Sequence, residues 1–151
     1  MEIKILATNR KAIHEYFLLD RYEAGLALQG SEIKSIRAGQ ISLQDSYIHI
    51  DEQGAWLENA HVAPYDQASI YNHEPRRPRK LLLHKSEIRR LWNQVRQKGV
   101  TIVPLRIYLK NGRAKVEIAV AKGKKLYDKR NSIAERDAQR EIERQFRHKS
   151  Q

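Results

Sequence analysis

The ten residues Ala121-Lys122-Gly123-Lys124-Lys125-Leu126-Tyr127-Asp128-Lys129-Arg130 set five cations around one aromatic ring. Ammonium and guanidinium groups neutralise phosphates, and a ring stacks on bases, so the stretch suits a nucleic-acid backbone and its unpaired bases. It equally suits a solvated basic tail. Other chemistry finds little support. His14, His49, His61, His73, His84 and His148 lack the HxxxH and His–carboxylate spacings of metalloenzymes. There is no glycine-rich phosphate loop, and Ser46 and Ser69 lack a nucleophile elbow. Glu23 and Glu32, in so basic a chain, read as salt-bridge members and not as an acid–base couple. With no cysteine, disulfides and thiolate metal sites are excluded. No cofactor, metal or catalytic residue is expected, and the chain does not read as an enzyme.

The elements that must position such cations belong to a chain of 151 residues, long enough for one domain plus an appendage. A net charge of +11 favours a polyanionic partner, either nucleic acid or an anionic membrane surface. No apolar run approaches the ~20 residues that span a bilayer, and the N-terminal apolar part is too short for a secretory signal. Together with the absence of cysteine, this points to the cytoplasm. Residues 122–151 hold ten Lys/Arg and five Asp/Glu, a far denser charge than the rest of the chain carries.

Along the body, a strand over about residues 3–7 is followed by a helix capped by Asn9, with Ala12, Ile13, Tyr16 and Phe17 on one face and Arg10, Lys11 and His14 outside. Residues 22–28 read as a strand with Tyr22, Ala24, Leu26 and Leu28 on one side and Glu23 and Gly25 on the other. Gly30-Ser31 opens a short helix that turns Ile33 and Ile36 inward, leaves Lys34 and Arg37 exposed, and stops at Gly39. Residues 45–50 and 55–62 form a hairpin. A surface loop over 64–78 ends in the cationic cluster Pro75-Arg76-Arg77-Pro78-Arg79-Lys80, and Leu81-Leu82-Leu83 reads as a buried connector. A helix with Ile88, Leu91, Trp92 and Val95 inward closes at Gly99, with Lys85 at its start. Two strands then pair around Asn111-Gly112. Thr101, Val103, Leu105, Ile107 and Leu109 line one side, and Ala114, Val116, Ile118 and Val120 answer them. Pro104 within the first strand marks an edge or a bulge. These elements predict a mainly β fold with peripheral helices, an OB-fold-like small β-barrel over residues 1–122.

Residues 123–151 form a basic C-terminal arm. Ser132-Ile133-Ala134-Glu135 is a capping box. Beyond it Ala134, Ala138, Ile142 and Phe146 make a narrow apolar line, and Arg136, Arg140 and Arg144 a basic one. Like charges four apart repel, and so short a helix is marginal alone. The arm is therefore expected to be mobile in solution and to become helical against RNA.

Several segments, in order, resemble the small protein B family of tmRNA-binding proteins of bacterial trans-translation. They are Ala7-Thr8-Asn9-Arg10-Lys11-Ala12 with His14-Glu15-Tyr16; Tyr22-Glu23-Ala24-Gly25; residues 30–39; Asp45-Ser46-Tyr47; Pro75 to Lys85; and Gly123 to Arg130. Ser31 and Trp92 depart from the family pattern, and the distal arm matches loosely. The resemblance implies a barrel that clasps the tRNA-like domain of tmRNA and enters a stalled ribosome, its arm probing the empty mRNA channel near the decoding region. Elongation factor Tu and alanyl-tRNA synthetase are implied as indirect partners. It also implies RNA-binding roles for Asn9, Glu23 and Leu82, and ribosomal roles for Lys124, Lys125, Asp128, Lys129 and Arg130. By composition Leu82 reads as core. The cations Arg10, Lys11, Lys34, Arg37, Arg76, Arg79, Lys80 and Lys85, with His14, complete the expected tmRNA surface. Tyr127, Arg136, Arg140 and Arg144 complete the expected ribosome-facing arm. The alternative is a basic ribosomal or ribosome-assembly protein bound permanently to ribosomal RNA.

Overall fold

Asn111 and Gly112 both hold positive φ, 53° and 77°, the two-residue turn whose twist matches paired strands. In the computed structural model, which describes residues 3–65 and 72–124, this turn joins β8 (Val100–Lys110) to β9 (Arg113–Gly123). Around that hairpin lie β1 (Ile3–Thr8), α1 (Arg10–Glu15), β2 (Tyr16–Leu26), α2 (Gly30–Arg37), β3 (Ile41–Ser42), β4 (Tyr47–Ile50), β5 (Ala55–Glu58), β6 (His61–Val62), β7 (Arg79–Leu82) and α3 (Lys85–Val95). Among the described residues, seven strands form one antiparallel sheet in the order β1-β8-β9-β2-β7-β5-β4, and β3 pairs with β6. The sheet curls until β4 approaches β8. The architecture is thus mainly β, open-edged and barrel-like.

β9 keeps strict alternation. Ala114, Val116, Ile118 and Val120 face the main core, which also takes Ile36 of α2 and Leu91 of α3. Its odd residues face outward, where Ala119 and Ala121 meet Val103, Leu105 and Ala12 beneath α1. β8 does not alternate throughout, because its register against β9 shifts between Pro104 and Arg106. Pro104 therefore marks a bulge, as expected. The extra residue flips the pleat: Ile107 lines the core, whereas Val103 and Leu105 lie on the opposite face, correcting the single apolar side expected for β8.

Four further expectations are corrected. Tyr16 and Phe17 belong to β2, pairing with Gly123 and Lys122. A bulge between Leu18 and Arg21 breaks the alternation, which hid the strand's first half. Leu28 lies beyond the strand's end at Leu26. Leu81-Leu82-Leu83 is no buried connector: β7 pairs with both β2 and β5, burying Leu81 and leaving Leu82 55% exposed. The hairpin strand expected over 55–62 divides into β5 and β6. The arm beyond Lys124, with its capping box and expected helix, lies outside the described residues.

Candidate nucleic-acid interface

The outward residues of β9 locate the site. Past α1, the face that carries Ala121 and Ala119 continues through Glu117, Lys115 and Arg113. Register places Glu23 opposite Glu117 and Gly25 opposite Lys115 on β2, and Leu82 of β7 opposite Gly25. On the other flank Arg106 and Tyr108 stand opposite Glu117 and Lys115. One face therefore joins Glu23, Leu82 and a set of cations that are far apart in sequence. The missing side chain of Gly25 makes room for Leu82, since a Cβ there would lie 3.2 Å from Leu82 Cβ, a tight contact.

Glu23 is placed by its neighbours. The Tyr108 hydroxyl donates to its Oε2, and Lys110 Nζ lies 3.3 and 3.4 Å from its two oxygens. The Tyr108 hydrogen bond, then Lys110, hold the carboxyl below its ordinary pKa. Burial, followed by the hydrogen bond to Glu23 and then the Glu23 charge, pushes the Tyr108 phenol up. Glu117 is held by Arg106 at 3.2 Å and Arg21 at 3.6 Å.

Asn9 is the N-cap of α1. Its Oδ1 accepts from the Ala12 amide at 3.2 Å, its Nδ2 donates to the Pro104 carbonyl at 3.0 Å, and its own amide donates to the Leu105 carbonyl at 2.7 Å. The side chain is buried and engaged at both ends, so it anchors α1 on the β8 bulge and holds Arg10, Lys11 and His14 at the surface. Lys11 lies 3.6 Å from Asp45.

The cationic loop divides. Arg76, beside Asn59, and Lys80 point outward. Arg79, expected among the RNA-facing cations, is 1% exposed, which corrects that expectation. Its guanidinium bonds Glu32 and the carbonyls of Ala60, Arg77, Glu74 and Pro75, leaving no donor for a phosphate. Arg77 pairs with the same carboxylate. Burial raises the Glu32 pKa, but the bonds from Arg77, the Gln29 amide and Arg79 outweigh it and leave the carboxyl below its ordinary value. Glu32 is thus the salt-bridge member expected, with partners separate from those of Glu23. On α2, Lys34 sits 5.5 Å over the Tyr65 ring, and Arg37 donates to the Gly112 carbonyl, on the same rim as Lys115. Lys85 starts α3, exposed.

Tyr108, Lys110 and Lys115 went unnoticed in the sequence; two cations flanking the Asn111-Gly112 turn were the available signal. Lys124 stands 5.5 Å over the Phe17 ring, while Lys125, Tyr127, Asp128, Lys129, Arg130, Arg136, Arg140 and Arg144 lie outside the described residues. Among the described residues no three His, Asp or Glu side chains gather as a metal site, and no helix is long and apolar enough to cross a membrane.

A family model described as SmpB protein matches residues 6–148. An SsrA-binding protein of Desulforudis audaxviator (strain MP104C) is 60% identical over 147 residues, 97% of this chain and 96% of the relative. One from Carboxydothermus hydrogenoformans is 56% identical over 144 residues, 95% and 97% of the two chains. A solved chain described as "tmRNA-SmpB: a journey to the center of the bacterial ribosome" is 50% identical with a TM-score of 0.66, covering 78% of this chain and 82% of its own.

Proposed function

Because the chain belongs to the SmpB family, we propose that it binds the tRNA-like domain of tmRNA and delivers it to stalled ribosomes for trans-translation. The carrying observation is the continuous outer face on which Glu23, Leu82, Lys80 and Lys115 come together beside the cations of α1. Leu82 offers an exposed apolar edge for a base, Glu23 an acceptor for RNA donors, and the cations meet phosphates from folded elements at small entropic cost. The body over residues 1–122 is the tmRNA-binding unit and 123–151 the ribosome-engaging arm, which meets ribosomal RNA at the decoding region and follows the empty mRNA channel. Elongation factor Tu and alanyl-tRNA synthetase meet the complex through tmRNA, in the cytoplasm. The protein acts by binding and placement, with no catalytic step of its own.

Affinity for the isolated tRNA-like domain, titrated against salt, tests this. Log affinity should fall linearly with log salt, each neutralised phosphate adding roughly 0.7–0.9 to the slope. Equal affinity for unrelated hairpins, or a flat salt response, would refute the reading.

A further inference from the structure

Glu23 and Glu117 face each other directly across the β2–β9 ladder, an arrangement in which two carboxylates repel. They are served differently. Glu117 has two guanidiniums, Arg106 and Arg21, and its side chain is 23% exposed. Glu23 has a neutral hydroxyl and one ammonium, and its side chain is 38% exposed. Tyr108 itself is buried, 6% exposed, so its hydroxyl is a fixed point on an otherwise open face. Glu23 is pinned through Oε2 by the hydroxyl, and its one ion-pair partner, Lys110, lies 3.3 and 3.4 Å from the two oxygens.

We propose that Tyr108 is a positioning residue that aims Glu23 at the Watson–Crick edge of an unpaired guanine in the bound RNA. The inference rests on the RNA-binding reading above. Guanine places two donors, N1–H and N2–H, side by side, which matches the two oxygens of a carboxylate. Adenine and cytosine set a ring-nitrogen acceptor beside their amino group, and uracil flanks its N3–H with carbonyls, so each of them repels one oxygen. Tyr108 occupies one acceptor site on Oε2. On binding, Lys110, 3.3 and 3.4 Å from the two oxygens, exchanges this ion pair for a phosphate of the arriving strand. That leaves both oxygens with room for guanine. The phenol, raised by burial and by Glu23, stays protonated and remains a donor at neutral pH.

The test uses the full-length protein and the tRNA-like domain of tmRNA, probed with a dicarbonyl reagent that modifies guanine N1 and N2. Wild type should protect one unpaired guanine. Tyr108→Phe keeps the ring but should weaken binding on the order of tenfold, the scale of one lost hydrogen bond to a charged group, and expose that guanine. Glu23→Gln should do the same, and the double variant should bind no worse than Glu23→Gln alone, because the hydroxyl acts only through the carboxylate. Wild-type affinity in Tyr108→Phe, additive losses in the double variant, or no guanine protected by a wild type that prefers this RNA would each overturn the inference. Should Tyr108→Phe melt early, inosine at the protected position makes the test from the RNA side. It lacks the N2 amine and should weaken wild type but not Glu23→Gln, and equal weakening of both would overturn the inference. A wild type with no preference for this RNA over an unrelated hairpin refutes the tmRNA reading itself, a separate outcome.

Discussion

Burying Arg79 and Glu32 together removes two full charges from water, at 1% and 0% side-chain exposure. Such a pair is tolerable only with every donor and acceptor answered, and among the described residues no buried side-chain polar atom lacks a partner. The arrangement nails three segments together: α2 through Glu32, the loop carbonyls of Glu74 and Pro75, and the start of β7. Glu32→Gln would leave two guanidiniums facing a neutral amide. Thermal unfolding should show a loss of about 3–5 kcal/mol, a Tm drop on the order of 10 °C. The pH dependence has a definite sign. A carboxyl whose folded pKa is depressed stabilises fully above its ordinary value of 4.5 and loses that contribution as pH falls through the folded value. The wild-type and Gln curves should therefore run parallel above pH 4.5 and converge below it; a gap that persists unchanged into acid would contradict the assignment.

Elements are joined with unequal strength. β8 and β9 pair along nearly their whole length, whereas β7 meets β2 through two residue pairs, Gly25–Leu82 and Leu26–Leu81, extended by the Ala27 amide donating to the Lys80 carbonyl at 3.0 Å. Leu82 is thus set by a short ladder and by the missing side chain of Gly25, whose Cβ would also lie 3.3 Å from Leu82 Cδ1. Gly25→Ala should push Leu82 by a few tenths of an ångström while the strand, whose backbone at this residue has ordinary negative φ, accepts the alanine. The expected result is a several-fold weaker tmRNA affinity with a Tm within a few degrees of wild type. A large fall in Tm with unchanged affinity would show that the close approach serves packing alone.

On the scale of the whole molecule, charge is divided between a folded face and a C-terminal segment. Strand β9 runs to Gly123, which pairs with Tyr16, so a cut after Lys124 spares the sheet. We expect that truncation, and separately the alanine replacement of Lys124, Lys125, Lys129 and Arg130, to keep nearly full tmRNA affinity and to lose peptide tagging on stalled ribosomes. Inside a channel walled by ribosomal RNA each cation gains phosphate partners, while a message occupying the channel would exclude the segment sterically. Normal tagging by either variant would reduce residues 125–151 to a solvated tail.

What the sequence by itself determined was whatever acts within a turn or two of chain. Asn111-Gly112 specifies its hairpin because both positions demand positive φ. Asn9 specifies a helix start because its oxygen reaches an amide three residues on, and the Ile88-Leu91-Trp92-Val95 stripe specifies a buried helix face. The net charge of +11 favoured a polyanion without choosing between nucleic acid and an anionic membrane surface. Tertiary structure alone decided which member of each local group faces which way. Arg76 and Lys80 are exposed while Arg79 is buried, because Arg79 meets a carboxylate 47 residues away. Leu82 is outside and Leu81 inside because β7 enters the sheet between β2 and β5. Glu23 is held by Tyr108, 85 residues away in sequence but two strands away in the sheet, and Glu117 by Arg106 and Arg21. A single extra residue at each bulge exchanges the two faces of a strand, and no local preference records where that residue will fall.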